Sequence, residues 1–286
     1  MAVCKLSAEP MQGRVRPELA ILSSLGEHLV GNYVLVRIAD DSGHEGMGEA
    51  SVTSVWSGET QAGAIGLICD FLAPLVIGAD PFDLPWIMRR IDRAAHANSF
   101  AKAAIESALL DLQARILDVP LHQLLGGVDR DGAAWKQGIR LKFVIGKVAP
   151  ALAAERAARM VAAGWNAIKV KVGHDPVEDI HRVKAVRAAI GPEVLLTVDA
   201  NGGYSVHQAR EAAKGFADCR VLLFEQPTPR GDHRAMAAVR RDSAIPVMAD
   251  ESIFTHADAL EAIRCESADI LSLYPGKHGG IRASQE

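Results

Sequence analysis

The sequence predicts an α/β chain in two parts: an α+β module over residues 1–127, then an incomplete (β/α)8 barrel over residues 128–286 with six barrel strands. Three observations carry this. Up to about Gly127, strand-like runs come first and helical runs after, the order of an α+β module. From about Ile139, continuous apolar runs alternate with amphipathic helical ones, the pattern of parallel strands covered by helices. The repeat is about 25 residues, one β/α unit of a barrel. A doubly wound open sheet is the alternative, but no glycine-rich phosphate loop follows the first strand of the alternating region.

The elements follow in order. Tyr33–Ile38 reads as a strand, Asp40-Asp41-Ser42-Gly43 as a turn, and HEGMGEAS as the returning strand of a hairpin. Ala101–Val119 reads as a helix, with Ala104, Ala108, Leu109, Leu112 and Ile116 at helical spacing. Pro120 opens the next segment, and Leu124-Leu125-Gly126-Gly127 closes a short one. The barrel strand candidates are LKFVIG (141–146), AIKVKVG (167–173), VLLTVDA (194–200), VLLFEQP (221–227), IPVMADE (245–251) and DILSLYP (269–275). Helices are expected between them, for instance over 149–163 and 175–189.

Composition narrows the function classes. Of the 286 residues, 49% are hydrophobic and 23% charged, which is ordinary for a soluble globular protein and sufficient for a sizeable core. The net charge of −4 gives no basis for a nucleic-acid or anionic-membrane partner. There is no apolar run of membrane-spanning length, and the start, MAVCKLSAEPMQGRVRPELA, lacks the basic-then-apolar order of a secretory signal. Cys4, Cys69, Cys219 and Cys265 are scattered, with no CxxC spacing, and read as reduced thiols of a cytoplasmic protein.

The chemistry sits at strand ends. In AIKVKVG, Lys169 and Lys171 are two residues apart, so on a strand they share a face opposite Ile168, Val170 and Val172. Lysines on an edge strand would explain the pair without function. The following strands, however, end in Asp199, Glu225 and Asp250, spaced 26 and 25 residues apart. One unit apart at the C-terminal ends of barrel strands means side by side on the rim where such barrels carry their active sites. A lone Asp there is usually a turn or cap residue. Three in register repel one another unless a hard divalent cation neutralises them, and Mg2+, with Mn2+ as the alternative, suits such a carboxylate set. A neighbouring ammonium, a dication and burial would each depress a lysine's pKa, so Lys169 is expected to depress Lys171, or the reverse. A lysine base beside such an ion is equipment for removing a proton α to a carboxylate.

The chain resembles the enolase superfamily, in its mandelate racemase/muconate lactonizing enzyme-like branch that includes muconate cycloisomerases and dipeptide epimerases. The resemblance rests on AIKVKVG, TVDANGGYS, LFEQPTP, MADES and, before the barrel, AKAAIESALLDLQARILDVPLHQLLGG. It implies an N-terminal capping domain that selects the substrate, Mg2+ held by Asp199, Glu225 and Asp250, Lys171 as a base with Lys169 its partner, and Asn201 and Glu251 beside the ligands or the substrate. Asn201 also reads as a residue of the NGG turn, and Glu251 as a solvated acid at a helix start. The substrate implied is a small carboxylate, and the complete relatives form homo-oligomers.

Two departures modify that expectation. The family often carries a second base lysine 24 residues after the strand-five Asp; here that position is Tyr274, in LSLYPGKHGG. Lys277 lies three residues on, either as an opposite-face base or as the loop lysine that relatives carry beside GG. Without the second base, a one-base outcome is favoured, such as cycloisomerisation or β-elimination; with Lys277, racemisation or epimerisation of amino-acid derivatives or dipeptides. Tyr274 could donate a proton or hydrogen bond. The second departure is length: six barrel strands precede the end at GGIRASQE where relatives have eight, so the chain reads as C-terminally truncated, and a non-catalytic relative with open sheet edges is a further alternative. The capping loops are expected at residues 20–30 and at SVWSGET (54–60), where Trp56 is either a substrate-facing aromatic or a core anchor.

Overall fold

The computed structural model describes residues 1–16, 19–127 and 139–286, and within them two compact units. One comprises Met1–Arg14, the stretch from Val30 and the C-terminal Leu273–Glu286; the other comprises Val15–Leu29 and Ile139–Ser272. The expected boundary at 127/128 adjoins residues 128–138, which lie outside the described residues. The strands in chain order are β1 (Val3–Arg14), β2 (Ile21–Ser23), β3 (Gly26–His28), β4 (Val30–Asp40), β5 (Glu45–Val52) and β6 (Phe143–Ile145). They continue with β7 (Ala167–Lys171), β8 (Leu195–Asp199), β9 (Val221–Glu225), β10 (Val247–Ala249) and β11 (Ile270–Leu271). No described helix is long and apolar enough to cross a membrane.

The first unit is built on an antiparallel sheet in the order β1-β4-β5. The expected hairpin is β4–β5, its turn closed by Asp40, whose carboxylate accepts from the backbone N–H of Ser42 at 2.9 Å and of His44 at 2.8 Å. Strand alternation puts Val34, Val36 and Ile38 of β4 and Gly46, Gly48 and Ala50 of β5 on the buried face. The helix Ser99–Ile116, expected over Ala101–Val119, packs on β5. A Cβ at Gly48 would meet the Ala104 carbonyl and, at 2.8 Å, the Ala108 nitrogen, so this strand is glycine-faced because backbone lies directly above it. The helix start is capped from outside: the buried Glu59 carboxylate accepts from Phe100 N at 2.9 Å and Ala101 N at 3.0 Å.

The second unit is a parallel sheet whose order, β11-β10-β9-β8-β7-β6, follows the sequence without exchange. This is the six-strand, incomplete-barrel pattern expected, with helices Pro150–Ala162, Pro176–Ile190, Val206–Phe216, His233–Asp242 and His256–Arg264 between successive strands. Ile168, Val170, Val172, Leu196, Val198 and Phe224 form a core with residues of these helices, among them Ala153, Val183 and Phe216. The alternate residues of β7, Lys169 and Lys171, therefore face away from that core. The β2–β3 hairpin belongs to this unit. It is anchored by the Ser24 hydroxyl, which donates to the carbonyls of Ala200 at 2.8 Å and Asn201 at 3.1 Å, and by Lys147 N donating to Leu22 O at 2.8 Å.

Candidate active site

The ladder sets the site. In the parallel register Lys169 pairs with Thr197, Lys171 with Asp199, and Asp199 with Glu225, so the functional side chains stand at one end of three adjacent strands. Lys171 Nζ donates to Asp199 Oδ2 at 2.7 Å and to Asn201 Oδ1 at 2.6 Å. Lys169 Nζ lies 2.7 Å from the same Asp199 oxygen and donates to both Glu225 oxygens, at 2.8 and 2.9 Å. Both ammonium groups are largely buried, and both carboxylates nearly completely.

The loops beyond the strands are shaped to hold this. Asn201 adopts a left-handed backbone, φ 44°, and its N–H closes onto Asp199 Oδ1 at 2.8 Å. Its side-chain amide donates to Glu251 Oε1 at 2.7 Å. Asn201 and Glu251 are thus joined to each other and to the lysine–carboxylate cluster, beyond the turn and solvent roles that either could have had. Gln226, absent from the sequence reading, has φ 36° and is fully buried. Its amide oxygen accepts from Asp250 N at 3.0 Å and Ser252 N at 3.2 Å, and its nitrogen donates to Ser252 Oγ at 2.7 Å. It ties the end of β9 to the segment that carries Asp250. The hairpin adds His28, whose Nε2 lies 3.4 Å from Ser23 Oγ. Burial, and then the charge of Lys171, push the imidazole below its ordinary pKa.

Burial alone would depress Lys169, but the Asp199 and Glu225 carboxylates outweigh it and raise its pKa, so of the two expected alternatives the one in which Lys171 depresses Lys169 is not the arrangement here. Burial would raise Asp199 likewise, but the two ammonium groups hold it down to about 2. Glu225 is raised by burial and by the charge of Asp199, and Glu251 is pushed up to about 7 by burial and by Asp199 and Asp250.

As placed, no three Asp, Glu, His or Cys side chains among the described residues converge closely enough to hold an ion, and the Lys169 ammonium stands between Asp199 and Glu225. The donor set nevertheless fits a hard divalent cation. It consists of carboxylate oxygens on adjacent strand ends, and the charges of Asp199 and Asp250 add to burial in raising Glu251. The buried Glu251 Oε2 has no hydrogen-bond partner.

The remaining candidates lie in the first unit. Tyr274, Trp56 and Phe100 form an aromatic triad with ring centroids 5.5–5.6 Å apart, so Trp56 is a packed, half-buried ring. Lys277 lies in the short helix Pro275–His278 and is fully buried.

Comparison with known proteins agrees with this geometry. Residues 152–286 match the family described as enolase C-terminal domain-like, and residues 14–126 match the mandelate racemase / muconate lactonizing enzyme N-terminal domain. The hydrophobic dipeptide epimerase of Enterococcus faecalis is 33% identical over 258 residues, covering 90% of this chain and 71% of the relative. Muconate cycloisomerase 1 of Pseudomonas putida is 32% identical, covering 87% of this chain and 66% of the relative. Among solved structures, the Enterococcus faecalis dipeptide epimerase complexed with Mg and L-Leu-L-Tyr superposes with a TM-score of 0.92 at 31% identity, covering 99% of this chain and 77% of that one. Muconate lactonizing enzyme of Pseudomonas fluorescens complexed with muconolactone gives 0.92 at 28% identity, covering 99% and 76%.

Proposed function

Because this chain belongs to the mandelate racemase/muconate lactonizing enzyme-like branch of the enolase superfamily and is an isomerase or lyase of that superfamily, we propose that it removes the proton α to the carboxylate of a small substrate in a Mg2+-dependent reaction, and that the outcome is cycloisomerisation or β-elimination. The observation that carries the reading is the shared Asp199 oxygen, which fixes two lysines side by side at the strand ends. Asp199, Glu225 and Asp250 would hold the ion, which when bound supplies positive charge beside the substrate carboxylate. Lys169, raised and held by two carboxylates, stays cationic and contributes charge. Lys171 then moves the proton, and Asn201 and Asp199 orient its Nζ.

One feature supports a one-base outcome: Tyr274 stands where a second lysine would be expected. A second reading, epimerisation of dipeptides or N-acyl amino acids with Lys277 as the other base, is favoured by the relatives that are dipeptide epimerases and an N-succinyl-L-Arg/Lys racemase. Incubation with Mg2+ in D2O and a panel of muconates, sugar acids, dipeptides and N-succinyl amino acids separates them. Lactone or keto acid formation, with deuterium entering one face, supports the first reading. Deuterium entering with inversion at the α-carbon supports the second. No deuterium incorporation into any member of the panel would count against both.

A further inference from the structure

We infer that Asp179 and Tyr204 are positioning residues for Lys171, a reading that rests on Lys171 as the proton acceptor. Asp179, in the first turn of the Pro176–Ile190 helix, is fully buried and saturated with donors. It accepts from Gly173 N and His174 N at 3.0 Å each, from the Tyr204 hydroxyl at 2.5 Å and from the Arg182 guanidinium. Arg182, also buried, donates to Val148 O at 2.7 Å and to the backbone carbonyl of Lys171 itself at 3.4 Å. One carboxylate thus joins three loops: the one after β6 through Arg182, the one after β7 at Gly173 and His174, and the one after β8 at Tyr204.

Two of these loops carry the partners of the reacting group. Lys171 is two residues before Gly173, and Asn201 is three before Tyr204. The loops also touch directly. Gly173, at φ 96°, has the Ala200 backbone where a Cβ would stand, and Gly203 lies against the Gly173 carbonyl. With no side chain between them, they are joined by the backbone hydrogen bond from Val172 N to Asp199 O at 2.9 Å, and beyond it by the Tyr204–Asp179 and Lys171–Asn201 hydrogen bonds. A buried ion pair of this kind is weak evidence for stability, since apolar replacements are often as stable. What it supplies here is the placing of the loop beyond the ladder: the distance from Lys171 Nζ to Asn201 depends on loops that Asp179 clamps together.

The test uses Tyr204→Phe, which removes one oxygen and leaves Asp179 its other donors, with Asp179→Asn to carry the same comparison should the first variant not yield folded protein. Acetylation of individual lysines is followed by mass spectrometry at one pH in metal-free protein, alongside kcat and KM for proton exchange. The expected result is faster acetylation of Lys171 with Lys169 unchanged, and kcat reduced by about tenfold or more with KM unchanged, as a sub-ångström misplacement of a base predicts. Folded variants in which neither lysine changes, or both change equally, overturn the inference, as does failure of both variants to fold, which would make the network a folding element. If the parent protein exchanges no proton, the functional reading fails on its own, and the acetylation comparison still decides this one.

Discussion

Lys171 and Asp199 are Cα partners across the β7–β8 ladder, and their side chains meet again at 2.7 Å beyond it. The backbone register fixes the pair before any side chain chooses a rotamer. Lys171→Ala is therefore expected to abolish α-proton exchange, a loss of about 10²–10⁴-fold or more for a general base, while metal binding persists. Lys171→Arg should not restore exchange, since guanidinium stays protonated. Exchange at the parental rate in the alanine variant would show that the proton leaves by another route.

Mg2+ should raise the melting temperature of the parent protein. At a hundredfold excess over Kd the stabilisation is about 2.7 kcal/mol. Asp199→Asn and Glu225→Gln should each remove that shift. An undiminished Mg2+ shift in both variants, read by calorimetry, would place the ion elsewhere.

Glu59 gives a pH dependence independent of the rim. Burial raises its carboxyl above the ordinary value, although the N–H groups of Phe100 and Ala101 and the charge of Lys102 pull the other way. As pH rises the unfolded chain loses this proton first, so the group's contribution is fully present below the ordinary carboxylate range and is lost as pH climbs through the raised value. Glu59→Gln should flatten the fall in stability as pH rises above the ordinary carboxylate range. Glu106, raised chiefly by burial, acts in the same direction, so a residual slope is expected. Identical slopes for parent and variant in denaturant titrations would refute the assignment.

Gly48→Ala should destabilise the first unit by about 1–3 kcal/mol, the usual cost of overpacking, because the new methyl meets helix backbone that cannot swing aside. A variant as stable as the parent in urea would mean that β5 and the Ser99–Ile116 helix can separate without loss.

The rim was legible because its rules are geometric. Residues i and i+2 share a strand face, and residues one β/α unit apart share a barrel rim, so Lys169, Lys171, Asp199 and Glu225 could be placed together without knowing a single rotamer. What escaped reading depended on partners distant in the chain. Asp179 and Arg182 sit among Glu178, His181 and Lys184 in what reads as the polar side of a helix, and only the fold turns them inward. Gln226 carried a faint signal, a polar residue between Glu225 and Pro227, but its left-handed backbone could not be read from one sequence. β1 was missed because most of its side chains are exposed or half-buried, so it lacks a clean alternation, and because it contains Pro10. Which lysine stays cationic could not be read, because it depends on the Asp199 and Glu225 carboxylates that enclose Lys169.

The β2–β3 hairpin has a consequence for the order in which the second unit forms. Every pairing in its main sheet joins consecutive strands, and Lys171 finds Asn201 across only 30 residues of chain. Ser24 must reach Ala200 across 176. Loop-closure entropy makes that the late step, taken on a sheet whose rim is already assembled. By the same reasoning the hairpin is the first part to let go, tied to the rest of its unit through the Ser24 and Lys147 hydrogen bonds. The rim beneath it should therefore open to solvent through a sub-global fluctuation that leaves the sheet intact. In hydrogen exchange, the amides of 21–28 should exchange well before those of β7 and β8; simultaneous exchange of all three would show that hairpin and sheet unfold as one.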